Sequence, residues 1–373
     1  MKKVGKEVLF LKTDDANPRN GESTFARISD GTIMFAYTEY YGEDWIDHAC
    51  ARISAYFSYD NGETFTDKKV LLEKDGEAKN YMSPSLFRLA DGTLGMVFLR
   101  KSVNMGKLLC MPMFTKSSDE GKTWSKLISC FEEEAYYCVV NDSVTVTSDG
   151  EILVPAAYYS EVPTGKDDAP GKIRIASSKN NGESFELIPK EIVSPYEDRI
   201  GLQEPGIYQY KSGDFLIYCR TAYGYQYEAE LSKDKSKVSA VIPNFNFTSP
   251  DSPMRIKKVG KYTVAVFNPV SYNCLSEKGE FWHSPKRSPL VVAVSENDGK
   301  SFSSKGKTFA HGELAEFSKS LYFIEDDLEE SYCYPAICDT DDGFLVTYYH
   351  SNKSGICLNS SKIKKIYYEE IEK

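Results

Sequence analysis

Apolar and polar residues alternate along this chain in short runs, and each run is introduced by a glycine turn. The pattern occurs six times: SDGTIMFAY around Gly31, ADGTLGMVF around Gly92, SDGEILVPA around Gly150, KSGDFLIYC around Gly213, VGKYTVAVF around Gly260 and DDGFLVTYY around Gly343. Such a turn before an alternating apolar run predicts a β-hairpin. The turn glycines stand 61, 58, 63, 47 and 83 residues apart, room for about four strands of ~5–6 residues in each interval. No run of 12 or more residues carries the i, i+3, i+4 spacing of a helix. Six helix-free units of four antiparallel strands predict an all-β fold, a six-bladed β-propeller, as a single domain over residues 1–373. The segment EVLFLK near the start is expected to complete the last blade, and residues 305–330 to hold a long loop.

A second element falls between these turns. It reads Ser-x-Asp-x-Gly-x-Thr-aromatic at 58–65 (SYDNGETF) and 117–124 (SSDEGKTW), with Asn at the third place at 178–185 (SKNNGESF) and 295–302 (SENDGKSF). The Asp or Asn closes a turn on its own backbone, Gly supplies positive φ, and the aromatic plugs the turn onto the sheet. These boxes are read as staples of hairpins, not as chemistry. SKDKSKVS at 232–239 is too decayed to count as a fifth.

Composition narrows the function classes. Hydrophobic residues at 41% and charged residues at 27% mark an ordered globular chain. The 45 Lys+Arg against 55 Asp+Glu leave a net charge of −10 with no evident basic face, which argues against nucleic acid as a partner. No apolar run approaches the ~18 residues of a membrane span. The opening MKKVGKEVLFLK has a four-residue apolar stretch, where a secretory signal takes about 7–15. The chain is therefore read as cytoplasmic, or as an exported form stripped of its signal. Nine cysteines without a CxxC pair and four dispersed histidines point to reduced, packed cysteines and no metal site. The 26 tyrosines suit strands and a carbohydrate pocket alike.

With its four boxes and its propeller count, the chain resembles the sialidases (neuraminidases) and their bacterial relatives over nearly its whole length. The resemblance implies an exo-glycosidase for a terminal sugar with a carboxylate on its anomeric carbon. That carboxylate would repel a carboxylate nucleophile, so such enzymes use a neutral Tyr activated by a Glu. Three Arg hold the substrate carboxylate, an Asp serves as acid/base, and no cofactor is required. By resemblance, GLQEPGIYQYKSGDFLIYCR carries Glu204 as the base and Arg220 in the Arg cluster, and KRSPLVVAVSENDGKSF carries Arg287. In SYCYPAICDTDDGFLVTYY the nucleophile stands nine residues before the turn glycine, which is Tyr334; Tyr332 is its competitor on the same strand face. Asp47, followed by His48 and Ala49, matches the acid/base, with Asp44 as alternative. His48 is placed with the substrate-binding residues.

The remaining positions fit the family pattern less closely. Arg19 is the choice for the first Arg, twelve residues before Gly31 where the family has about ten. The acid that usually holds this Arg after the last strand is replaced by His350, leaving Glu22 or Glu39 as substitutes. Asn141 and Asp142, in the inner loop of the third unit, can bind sugar hydroxyls or form an Asx turn. Arg199 and the loop Ser83-Pro84-Ser85 are weaker candidates for the same rim. The reading is a retaining exo-glycosidase acting on a glycan ending in an acidic sugar, sialic acid first. Its rivals are the same fold acting on another sugar, by hydrolysis or as a lyase, and a non-catalytic glycan-binding propeller.

Overall fold

All six turns form hairpins between paired antiparallel strands: Asn20–Arg27 with Ile33–Tyr40, Ala78–Arg88 with Leu94–Asn104, Thr145–Val146 with Ile152–Tyr159, Gln203–Gln209 with Phe215–Arg220, Arg255–Val259 with Tyr262–Phe267, and Ser331–Asp339 with Gly343–Ser351. These come from a computed structural model that describes residues 2–162, 170–195, 201–270, 287–302, 321–327, 329–351 and 359–372. Five of the turn glycines have positive φ; Gly343 does not, and is required for another reason, since a Cβ there would lie 2.1 Å from the carbonyl oxygen of Ile366. The fold is all-β: the described residues hold one α-helix, the four-residue Tyr368–Ile371. No described helix is long and apolar enough to cross a membrane.

The strands assort into four sheets, none of which closes. Two have four strands, one running from Gln203–Gln209 to Ile242–Thr248. The other holds Ser331–Asp339, Gly343–Ser351, Ser360–Tyr367 and, as its outermost member, Lys6–Leu11. A five-stranded sheet spans Arg255–Val259 to Tyr322–Glu325 and adds Lys2–Lys3. The first three hairpins belong to a single sheet of thirteen strands, because lone parallel bridges, Ala51 to Asn80 and Tyr136 to Cys110, join neighbouring units. The first strands of the six hairpins lie side by side in chain order, and the last lies against the first. Everything that converges below sits at one end of these six strands.

The four boxes adopt one network. In 58–65, Ser58 Oγ donates to Asp60 and accepts from the Gly62 N–H, while Asp60 accepts from the Thr64 N–H and hydroxyl. Residues 117–124 repeat each bond. In 178–185 and 295–302 Asn replaces Asp; it still accepts from the first Ser of the box, but its amide donates to the hydroxyl of Ser184 or Ser301, where the Asp accepts from Thr. Residues 232–239 keep the Ser232 hydroxyl's bond to Asp234 but form a tighter turn, in which Asp234 accepts from the N–H two residues on rather than four. The box aromatics Phe65 and Phe302 are buried, and Phe65 packs against Phe25 and Phe35. Phe65→Ala is therefore expected to cost about 3–5 kcal/mol, read as a lowered denaturation midpoint at unchanged slope.

Seven described cysteines, from Cys50 to Cys338, are free thiols. The described part of the expected loop within 305–330 includes strand Tyr322–Glu325; its residues 305–320 and 328, with Lys286, Arg199, His283 and His311, lie outside the described residues.

Candidate active site

Six residues outside glycine take a left-handed backbone at one recurrent position: Glu22 (φ 40°), Ser83 (55°), Asp142 (57°), Glu204 (43°), Asp251 (56°) and Tyr334 (55°). Each stands nine residues before a turn glycine, eight in the case of Asp142. At Glu22, Ser83, Glu204 and Tyr334 the strand pairing also slips, as in a β-bulge. A bulge re-aims a side chain, and left-handed non-glycine residues persist only where the surroundings enforce them. The same device, repeated around the six first strands, brings side chains far apart in sequence to one place.

At the centre, the Tyr334 hydroxyl donates to Glu204 Oε1 at 2.6 Å. Arg220 donates through Nη1 to Glu204 Oε2 at 2.8 Å and to the Tyr334 oxygen at 3.4 Å, and through Nε to Asp251 at 2.6 Å. The Arg287 guanidinium lies 5.8 Å from the Tyr334 ring centre and donates to the Asp251 carbonyl and the Cys333 sulfur. Among the described residues no carboxylate side chain pairs with Arg287. Burial and the Glu204 charge push the Tyr334 phenol well above its ordinary pKa, against the opposing pull of Arg220 and Arg287. The phenol is thus neutral and already hydrogen-bonded to a carboxylate.

A second group adjoins the first through Tyr349, whose ring meets that of Tyr334 edge-on at 5.7 Å and whose hydroxyl accepts from Arg19 Nε at 2.9 Å. Arg19 is buried, stacks over Tyr40, and pairs with Asp47 at 2.6 Å and with Glu22 at 3.6 Å. Asp47 sits on the loop after Ile33–Tyr40, pinned where Asn80 and Lys101 donate to its backbone carbonyl. Burial acts to raise its carboxyl, but Arg19 and Lys101 hold it below the usual Asp value.

Glu22, bonded by the Ser83 hydroxyl, is the reverse case. Burial, helped by Asp47, lifts it to about 6 in spite of Arg19. A carboxyl raised on folding leaves stability intact while protonated in both states, and costs stability once the unfolded chain ionises first. Stability is thus expected to fall by about 2 kcal/mol as pH climbs from about 4.5 to about 6, a slope that Glu22→Gln abolishes when denaturation is followed across that range.

The structure gathers Glu204, Arg220, Arg287 and Tyr334 directly, and Arg19 and Asp47 beside them. His48 follows Asp47, half-buried, with its Nδ1 unpartnered and burial pulling its pKa down. Asn141 lies beneath Tyr334, donating to its carbonyl and to that of Ser23. Asp142 does not reach the group. Its buried carboxylate binds Lys257, Thr24 and the Ile337 N–H, joining first strands to one another. Both side chains are turned away from the Tyr334 hydroxyl and Glu204, because the Asn141 amide N–H and the Asp142 carboxylate bond buried backbone and charge. Tyr332 is likewise buried against Glu330 and His350. His350 pairs with Glu330, away from Arg19. Glu39 is occupied by Arg52, Ser54 and Lys68. Asp251 and Tyr349 were not singled out from sequence; Asp251 is visible by counting nine residues back from Gly260. Among the described residues no three His, Cys, Asp or Glu side chains converge as a metal cage.

Residues 71–347 match the model of the BNR repeat-like domain family. No curated protein matches the sequence. Among solved structures, the chain is similar to the intramolecular trans-sialidase from Ruminococcus gnavus (TM-score 0.70, 12% identity, 98% of each chain covered). It is also similar to a Trypanosoma rangeli sialidase mutant displaying trans-sialidase activity (0.67, 14% identity, 100% of this chain and 60% of that one), and to a Hadza microbial sialidase (0.67, 11% identity, 94% and 66%). The chain thus spans less than two thirds of the length of the last two. At these identities the likeness establishes a shared fold, that of the sialidase β-propellers.

Proposed function

The chain belongs to the BNR repeat-like domain family, and from that premise and the site's geometry we propose that it is a retaining exo-glycosidase for a glycan ending in an acidic sugar, sialic acid first. It is built as a single six-bladed propeller domain whose blades are the six hairpin units. The observation that carries the reading is the Tyr334–Glu204 hydrogen bond beside a half-buried Arg287 with no carboxylate of its own among the described residues. A neutral phenol handing its proton to Glu204 can attack an anomeric carbon that bears a carboxylate, where an anionic nucleophile would be repelled. Arg287, Arg220 and Arg19 would hold that carboxylate; Asp47 would protonate the departing oxygen and then activate water. Fluorogenic aryl sialosides test the reading. Release by the wild type, lost in Tyr334→Phe, supports it; no release from these or from other acidic glycosides overturns it.

Asp47 carries a specific consequence. In the free protein Arg19 holds it ionised, which is wrong for an acid; a substrate carboxylate that takes over Arg19 frees Asp47 to gain a proton. The limb of kcat that falls with rising pH should therefore lie at higher pH than that of kcat/KM, since these report the bound and the free enzyme. Asp47→Asn should lower kcat by about 10²–10⁴ on alkyl glycosides, and far less on aryl glycosides, whose leaving groups need no proton.

A further inference from the structure

A cavity of about 580 Å³ lies on the turn side of the bulges, lined by residues of the third, fourth and fifth hairpins. None of Arg19, Asp47, Glu204, Arg220, Arg287 or Tyr334 lines it. Five cations do: Lys211, Lys233, Arg255, Lys257 and Lys258, against two carboxylates, Asp142 and Asp298. Both acids are engaged, Asp142 with Lys257 and Asp298 with the Tyr208 hydroxyl and the Lys211 N–H. The ammonium groups of Lys211, Lys233 and Lys258 have no carboxylate partner among the described residues, in a chain whose net charge is −10.

Arg255 is the more telling residue. It is 2% exposed, yet no acid pairs with it among the described residues. It donates to the Tyr218 hydroxyl and to the Asn141 carbonyl, and its Nε has no partner at all. A guanidinium has five N–H donors, and a buried cation without a counter-charge is costly. Cations gathered in a concave, low-dielectric site focus the field on an anion even when the whole protein is acidic.

We propose that this cavity binds a small oxyanion, a molecule bearing phosphate or carboxylate groups, seated between Arg255 and the lysines Lys211 and Lys258. Its size suits a ligand of a few to some tens of atoms. The site is separate from the glycosidase site and stands whether or not that reading holds.

Calorimetric titration of the full chain with pyrophosphate and with citrate, at fixed ionic strength and with glucose as neutral control, tests it. The expected result is saturable binding of at least one anion with Kd near 1 mM or tighter, weakened at least ~10-fold in Lys211→Glu/Lys258→Glu and unchanged in Arg287→Met. These two lysines are exposed, so the double variant is expected to fold. Pyrophosphate alone binding assigns phosphate chemistry, and citrate alone carboxylate chemistry. The proposal is overturned by no saturable binding of either anion, by binding indifferent to the lysine reversals, or by binding lost in Arg287→Met, which would place the anion at the other site.

Discussion

Tyr334→Phe is expected to lower kcat on acidic glycosides by ~10³-fold or more, as removal of a nucleophile does elsewhere, with the fold retained. The substitution deletes one oxygen. Glu204 loses the hydrogen bond at 2.6 Å but keeps Arg220 at 2.8 Å, so no buried carboxylate is left without a partner. The ring still meets Tyr349 and Arg287. Substrate affinity should change little, because the phenol reacts rather than grips. Single-turnover kinetics beside a binding titration separate the two: a rate loss with near-constant affinity agrees, whereas a loss of affinity with unchanged chemistry assigns Tyr334 to binding.

Arg287→Met is the second large effect, and it falls on recognition. Arg220 and Arg19 already face Glu204, Asp251, Asp47 and Glu22. Arg287 alone of the three has no acid among the described residues, so a substrate carboxylate would give it its first full counter-charge. Removing one partner of such a buried pair costs about 2–5 kcal/mol, ~30- to ~5,000-fold in kcat/KM for acidic glycosides. The loss should persist at high salt, because a buried pair is weakly screened. The protein itself should be no less stable, since a half-buried cation without an acid partner is removed. Equal losses on acidic and neutral glycosides would mean that Arg287 does not read the carboxylate.

Much of this arrangement was legible before any coordinates. Turn glycines and alternating runs mark the hairpins because a tight turn needs positive φ and a half-buried strand has a period of two. The count from Gly343 to Tyr334 works because the bulge lies at a set distance from each turn. Applied to Gly31 and Gly260, the same count picks out Glu22 and Asp251. What failed was local register. His350 occupies the position expected to face Arg19, but adjacent strand residues face opposite sides, and it is Tyr349 that meets Arg19 while His350 packs on Phe10 and Tyr332. Asn141 and Asp142 have the composition of sugar ligands, but only packing shows that they tie first strands together. The joining of three units into one sheet rests on single bridges that no sequence pattern announces.

The central claim is that Tyr334 forms a bond to the sugar. A 2,3-difluorinated sialic acid slows the release of such an adduct, and the covalent intermediate of Trypanosoma rangeli sialidase was captured with this compound. The direct measurement is peptide mass mapping of the protein after exposure to it. One glycosyl mass on the peptide holding Tyr334, absent in Tyr334→Phe, is the predicted result. Turnover of a sialoside by a protein that gains no mass at Tyr334, or gains it at Glu204 or Asp47, would contradict it.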